Sequence, residues 1–354
     1  MKRRGTHLFV YTEDHRIPKW VPLGLLRYAA AIGVIVLPLI FLSVFILTVH
    51  PRQLSPVSIP DFALVSGMCH TGQQLPSSDL VSIEIQGSDV SGRYLFAVPS
   101  AALRFISIIA AIFAMFVIFR RTTLLIGTIF TATAFAVGLL LATMLHDQGA
   151  TRKTLVAPIA KAAANASLTG AGLEEYIESS VHLNGLFGIT ATFVVLCGLS
   201  VVAIRARDEE LTPAILRQRL FDLRWSMILA AAVLALVVII TRSLVEWHLG
   251  FLCTQFADKL RPVGLAIAIY WGAGASGFLL AAFLPTYFSW IRDVVRRTNL
   301  AKPKSTEKER RLLIEQECLD FSPATSATTL LTIGMPALSG PMLELIKGLT
   351  GKVG

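Results

Sequence analysis

Charge is scarce in this chain. Asp, Glu, Lys and Arg account for 16% of its 354 residues, whereas hydrophobic residues account for 54%. A soluble protein of this size cannot easily bury so large an apolar fraction in one core, so the composition indicates a surface that faces lipid. The few charged residues are also spread unevenly, because six long stretches contain almost none of them.

Each of these stretches is long enough to cross a bilayer, whose hydrocarbon core of about 30 Å requires about 20 apolar residues in a helix. A backbone in lipid must satisfy its own hydrogen bonds, and none of the stretches alternates like a barrel strand, so we predict helices. The predicted fold is an all-α polytopic membrane protein with its membrane domain at 28–288. Its six transmembrane helices are predicted at residues 28–49, 101–119, 122–145, 181–204, 225–244 and 263–288.

A seventh uncharged segment, 321–343, contains three prolines and many Ser and Thr residues. Prolines interrupt a helix, and hydroxyl groups make transfer into lipid less favourable. We therefore predict an interfacial or docked segment, with re-entry into the membrane as the alternative.

The orientation of the helices follows from the basic residues in the short loops, because positively charged loops resist translocation. With both termini in the cytoplasm and the tail counted over 292–304 alone, the inner segments hold 18 Lys and Arg residues. The outer side holds nine, which include Arg104 and Arg242 near the outer ends of their helices. The net charge of +9 is then a property of the inner face, where it favours anionic lipid; no motif supports nucleic acid as a partner. The predicted location is a plasma membrane, of the bacterial inner-membrane type, with the first helix as an uncleaved signal anchor.

The remaining segments are predicted to lie on either side of the membrane. A basic leader at 1–27 and a basic tail at 289–354 are cytoplasmic, and the tail includes a short helix that begins with capping-box spacing at Thr306 and Glu309. Outer loops are expected at 50–100, 146–180 and 245–262. In the first of these, two alternating runs within Val81–Val98 flank a Gly-Ser-Asp-Val-Ser-Gly turn sequence, which predicts a small β-hairpin.

Cysteine is also rare, with four residues in the chain. Cys69 and Cys253 form the one pair predicted outside the membrane, and an oxidising compartment would favour a disulfide between them. Reactive thiols, or a metal site that includes the adjacent His70, are the alternatives.

Several histidines are predicted at the outer boundary, where they could bind a metal or respond to pH. Scattered interfacial side chains are the alternative reading, because no closely spaced ligand motif is present. The candidate residues for this site are His70, His146, His182, His248 and Asp147.

The sixth predicted helix carries small residues at every fourth position, namely Gly264, Ala268, Gly272 and Ser276. Such a groove allows close helix packing, either within the protein, between two copies or along a solute path. At the outer boundary, Arg242 and Glu246 have the spacing of an ion pair on one helix face. No helix middle carries the charged group that coupled carriers usually need.

Catalytic signatures are absent from the sequence, including a P-loop, HExxH and GxSxG, so we predict no catalytic residue and no cofactor. We expect a non-enzymatic integral membrane protein that acts in assembly or sensing through its outer loops and basic inner tail. Its expected partners are the lipid bilayer and a membrane protein, a periplasmic protein or a second copy. The alternatives are a channel or uncoupled transporter, lined by Thr128, Thr131, Thr133 and the small-residue groove, and a membrane enzyme with an outer-face metal site.

Overall fold

The computed structural model describes residues 31–41, 43–44, 78–146, 156–165, 173–204, 212–252, 254–301, 306, 309, 312, 314, 329 and 331–339. The regular elements in these ranges are all α-helices, which confirms the all-α prediction for this part of the chain. The helices are α1 (Ala31–Phe41), α2 (Ser78–Arg121), α3 (Leu124–His146), α4 (Ala157–Asn165), α5 (Leu173–Ala203), α6 (Pro213–Leu249), α7 (Thr254–Ala301) and α8 (331–339).

Five of the helices are long and apolar enough to cross a membrane, so the chain is compatible with a multi-pass membrane protein. Helix α1 is apolar and belongs to the first predicted helix, whose remaining residues lie largely outside the described ranges. The five candidate spans are Val90–Arg121, Leu124–Thr143, Glu175–Ala203, Pro213–Leu249 and Phe256–Leu300.

The helices extend well beyond the uncharged windows. Helix α6 has 37 residues, which correspond to about 55 Å of rise, nearly twice the thickness of the hydrocarbon core. It begins at Pro213, where Thr212 caps it by accepting a hydrogen bond from the amide of Ile215 at 3.4 Å. The predicted outer loop at 245–262 is largely helical, because α6 continues to Leu249 and α7 begins at Thr254. The start of the predicted tail at 289 is also helical, because α7 continues to Ala301.

The predicted β-hairpin over Val81–Val98 is wrong, because α2 runs through this whole segment. Gly92 lies in the predicted turn sequence, but it faces Trp247 of α6, and a Cβ at this position would overlap the indole ring. The glycine therefore allows two helices to approach closely. An isolated hairpin would also have had no third strand to stabilise it.

Helices α2 and α5 run parallel to each other. Ser100 contacts Asn184, and Ala114 lies beside Gly198, so the register differs by the same 84 positions at both contacts. Buried apolar side chains such as Leu103 fill the space between these helices and α6.

Helix α6 runs antiparallel to α2, with Trp247 against Gly92 at one end and Asp222 against Arg120 at the other. Helix α7 reverses direction again, because Gly264 lies beside Val245 of α6 near its start. We refer to the two ends of the bundle as the Arg242 end, which includes Trp247, and the Asp222 end.

Two helices pack on the outside of this core. Helix α3 contacts α5, where Gly138 meets Thr190, and its other side is exposed and apolar, with Leu124 78% exposed. Helix α1 lies antiparallel to α7, with Gly33 beside Pro285 and Phe41 against Gly277.

Candidate functional site

The Asp222 end contains a buried carboxylate that is bound by two arginines. Arg121 donates to Asp222 Oδ2 from Nε at 3.1 Å and from Nη2 at 2.9 Å, and Arg120 contacts both carboxylate oxygens. Gln218 donates a further hydrogen bond to Oδ1 at 3.2 Å. These contacts attach the short connection between α2 and α3 to α6. The two arginines and the single carboxylate form a polar layer that has an excess of positive charge.

Arg219 lies beside this layer and joins three helices. Its side chain is 1% exposed, and its Nη1 forms an ion pair with Asp293 of α7. Its Nε and Nη2 donate to the carbonyl oxygen of Val202, near the end of α5, at 3.1 and 2.9 Å. The low exposure requires these partners, since a buried charge is tolerated only when it is paired and hydrogen-bonded.

Sequence reasoning missed this layer, because residues 205–224 were assigned to an inner loop. A usable signal was present: Leu216, Leu220 and Leu223 recur at helical spacing, and all three are buried. That pattern could have extended α6 towards its true start and placed Arg219 and Asp222 inside a helix.

At the Arg242 end, Arg242 and Glu246 form an ion pair along α6. The Arg242 side chain is fully buried, and its Nη1 also donates to the carbonyl oxygen of Arg261 at 3.3 Å. Gly264 makes room for it, because a Cβ there would lie 2.8 Å from both Arg242 Nη1 and Val245 Cγ1. The pair therefore connects α6 to the start of α7.

The candidate metal or pH-sensing residues are only partly described. His248 is completely buried between neighbouring aromatic rings, and its Nδ1 lies 2.7 Å from the carbonyl oxygen of Leu244, so this nitrogen carries a proton. His182 is half-buried on α5, and His146 is the last residue of α3. Among the residues that the structure describes, no group of three or more His, Cys, Asp or Glu side chains could share a metal ion. Outside the described residues lie His70, Asp147, Cys69 and Cys253, and the side chain of His146.

The small residues of α7 face several different partners. Gly264 faces α6, and Ala268 is fully buried. Gly272 lies against the backbone of Pro336 and Ala337 in α8, while Ser276 accepts a hydrogen bond from the Ala337 amide at 3.2 Å. In the described structure, own-chain groups therefore occupy much of this groove.

A polar contact also joins α2 and α5 inside the apolar layer. Arg104 Nε donates to Asn184 Oδ1 at 3.2 Å, and Asn184 Nδ2 donates to Ser100 Oγ at 2.9 Å. Asn184 and Ser100 are buried, and Arg104 is half-buried. The described partner of Arg104 is therefore Asn184.

The three threonines proposed to line a path on α3 differ in their surroundings. Thr128 is exposed and donates to the carbonyl oxygen of Leu124 at 2.8 Å, Thr131 is buried, and Thr133 is exposed.

Comparison of the chain with models of protein families, with curated proteins and with solved structures finds no match.

Proposed function

We propose that this protein is a non-enzymatic, multi-pass membrane protein that acts in assembly or sensing, with its outer loops and basic inner tail as contact surfaces. The observation that carries the proposal is the engagement of Arg219, whose guanidinium binds Asp293 and the Val202 carbonyl at once. A charged group that moves solutes or protons must be able to release its partner. Arg219 is instead held by three helices, as expected of a rigid scaffold.

The proposed topology has six transmembrane helices and places the Asp222 end, together with both termini, in the cytoplasm of a bacterial-type cell. Support comes from the basic residues near that end, since positive charge is retained inside. They include Arg120, Arg121, Arg217, Arg292 and Arg296. On α6, the 20 residues from Asp222 to Arg242 correspond to about 30 Å of rise, which matches the hydrocarbon thickness.

The lipid bilayer is the proposed partner of the outward apolar faces. On α3, Leu124, Leu125 and Ile126 are strongly exposed, and Phe105 and Phe116 are exposed on α2. In water such a surface would be a liability, whereas against acyl chains it is the expected one.

The proposal is tested by the size of the protein in its membrane. After crosslinking in native membranes and transfer to nanodiscs, we expect a mass above that of one copy, from self-association or from a stoichiometric partner. Replacing residues 50–77 with a Gly-Ser linker is expected to reduce this assembly. The same replacement at 205–211, the segment that links α5 to α6 in the sequence, serves as the control and is expected to preserve it.

A strictly monomeric protein without a stoichiometric partner would contradict this function. Solute flux through liposomes that is reduced by Thr131→Val would favour the channel alternative instead. Tightly bound metal, together with a functional defect in His248→Ala, would favour the membrane enzyme.

A further inference from the structure

Arg104 places a positive charge inside an apolar helix without a carboxylate partner among the described residues. It lies within the candidate span Val90–Arg121. The buried guanidinium groups of Arg219 and Arg242 each contact an acidic side chain, whereas the described contact of Arg104 is the neutral amide of Asn184. Charged groups inside a membrane normally find a counterion or reach the interface.

The hydrogen bonds around Arg104 fix its orientation. Arg104 Nε donates to Asn184 Oδ1, Asn184 Nδ2 donates to Ser100 Oγ, and Ser100 Oγ donates to the carbonyl oxygen of Phe96 at 2.7 Å. Every group in this chain has a defined role as donor or acceptor. The donors that remain are those on Nη1 and Nη2 of Arg104, for which the described residues provide no acceptor.

The depth of Arg104 follows from its neighbours. A Cβ on Gly188 would lie 3.9 Å from Leu103 and 3.4 Å from Val237, so the backbone next to Arg104 is level with Val237 of α6. Val237 is about 8 Å of helix rise from Arg242 and about 22 Å from Asp222. The backbone of Arg104 therefore lies at a level between Asp222 and Arg242 of α6, nearer to the Arg242 end.

The side chain points towards that end. Helical side chains lean towards the N-terminus of their own helix, and the N-terminal part of α2 lies at the Arg242 end. Asn184 and Ser100 both lie in this direction from Arg104 along their helices. A long basic side chain in this position brings its charge to the level of the lipid headgroups.

We propose that Arg104, positioned by Asn184 and Ser100, binds a phosphate group between α2 and α5 at the Arg242 end of the bundle. The planar guanidinium offers two parallel N–H donors, which suit two oxygens of one phosphate. The phosphate belongs either to a phospholipid headgroup or to a free phosphate ion, since both present the same oxygens.

The test uses the full chain, purified in detergent and depleted of lipid. Phosphatidylglycerol is expected to raise the melting temperature and to remain bound in native mass spectrometry. In Arg104→Gln, the apparent affinity for this lipid should fall about tenfold, as expected for the loss of hydrogen bonds to a charged group. Arg261→Gln is the matched control, because Arg261 is an exposed arginine of the same end that pairs with Asp258; it should bind the lipid normally.

Two further probes identify the source of the phosphate. Diacylglycerol lacks phosphate, so its effect should not depend on Arg104. Inorganic phosphate that stabilises the parent protein but not Arg104→Gln would assign the site to a free ion, whereas an effect of phosphatidylglycerol alone would assign it to lipid.

A second variant keeps the proposal testable if Arg104→Gln does not fold. Asn184→Leu retains the arginine but removes the acceptor of its Nε, and it should also weaken binding of phosphatidylglycerol. If a folded Arg104→Gln or Asn184→Leu protein responded to both phosphatidylglycerol and inorganic phosphate as the parent protein does, the proposal would be overturned. An equal loss of binding in Arg261→Gln would overturn it as well.

Discussion

The backbone amide of Ala337 donates a hydrogen bond to the hydroxyl of Ser276, 3.2 Å away. Ser276 lies halfway along the apolar window 263–288, so this contact places α8 beside the middle of a candidate membrane span. The two faces of α8 differ accordingly: Leu331 and Leu338 are exposed, whereas Thr332 is buried. An apolar outer face suits contact with acyl chains, which supports a position of α8 within the membrane over one at the interface.

The first prediction concerns this contact. In a background in which Cys69, Cys197, Cys253 and Cys318 are replaced by Ala, the pair Ser276→Cys and Ala337→Cys should form an intramolecular disulfide on mild oxidation. The reason is proximity, because the two residues already share a hydrogen bond. The pair Ser276→Cys and Leu338→Cys is the control and should crosslink poorly, since Leu338 is exposed on α8. Mobility on non-reducing gels measures the outcome.

The second prediction concerns the depth of α8 in the membrane, which maleimide labelling can measure. A membrane-impermeant maleimide should label Glu309→Cys rapidly in opened membranes, because Glu309 is exposed in the tail. Leu338→Cys should react much more slowly if lipid covers it. Equal labelling rates at the two positions would rule out re-entry while leaving the docking of α8 on α7 intact.

Removal of either partner of the buried ion pair between Arg219 and Asp293 should destabilise the protein strongly. Either Arg219→Met or Asp293→Leu alone leaves a buried charge without its partner, so each is expected to cost about 3–5 kcal/mol of unfolding free energy. The double variant should recover much of this loss, although the Val202 carbonyl then lacks its donor. Unfolding titrations in detergent measure the effect. The control is Arg261→Gln, which removes an exposed pair and should cost less than about 1 kcal/mol.

Glycine substitutions test the close approach of α2 and α6. Gly92→Ala is expected to destabilise the protein by about 1–3 kcal/mol, because the added methyl group would overlap the Trp247 ring. Gly185→Ala is the matched control, since no atom lies within 4 Å of the position of its added Cβ. It should be neutral or stabilising by up to about 1 kcal/mol, owing to the higher helix propensity of Ala. Equal melting temperatures for the two variants would contradict the observed packing.

Most of the long helices could be predicted from the sequence, because a run of about 20 uncharged residues indicates a helix long enough to cross the hydrocarbon core. The positions of their ends could not be predicted. The ends of α6 and α7 contain Arg219 and Asp293, and these charges are tolerated because they meet each other across the bundle. Pairing between distant segments leaves no periodic signal in the chain. By contrast, the contact between Arg242 and Glu246 depends on local spacing along one helix, which the sequence contains.

The hairpin failed for a related reason. A glycine inside a run of hydrophobic residues is consistent both with a turn and with the close approach of another helix. Choosing between them at Gly92 requires knowledge of Trp247, which lies 155 positions further along the chain. The small residues of α7 present the same difficulty, since their spacing indicates a contact surface but does not identify α8 as its partner.

The last prediction concerns the orientation of the bundle. Thr122 lies in the short connection between α2 and α3, at the Asp222 end, and Gly250 follows α6 at the Arg242 end. In intact cells of a background without native cysteines, an impermeant maleimide should label Gly250→Cys but not Thr122→Cys, because the proposed topology keeps the arginine-rich Asp222 end inside. Opening the cells should make Thr122→Cys reactive, which confirms that the residue is present and accessible. Labelling of Thr122→Cys in intact cells, with Gly250→Cys protected, would invert the topology; the phosphate site at Arg104 would then face the cytoplasmic leaflet.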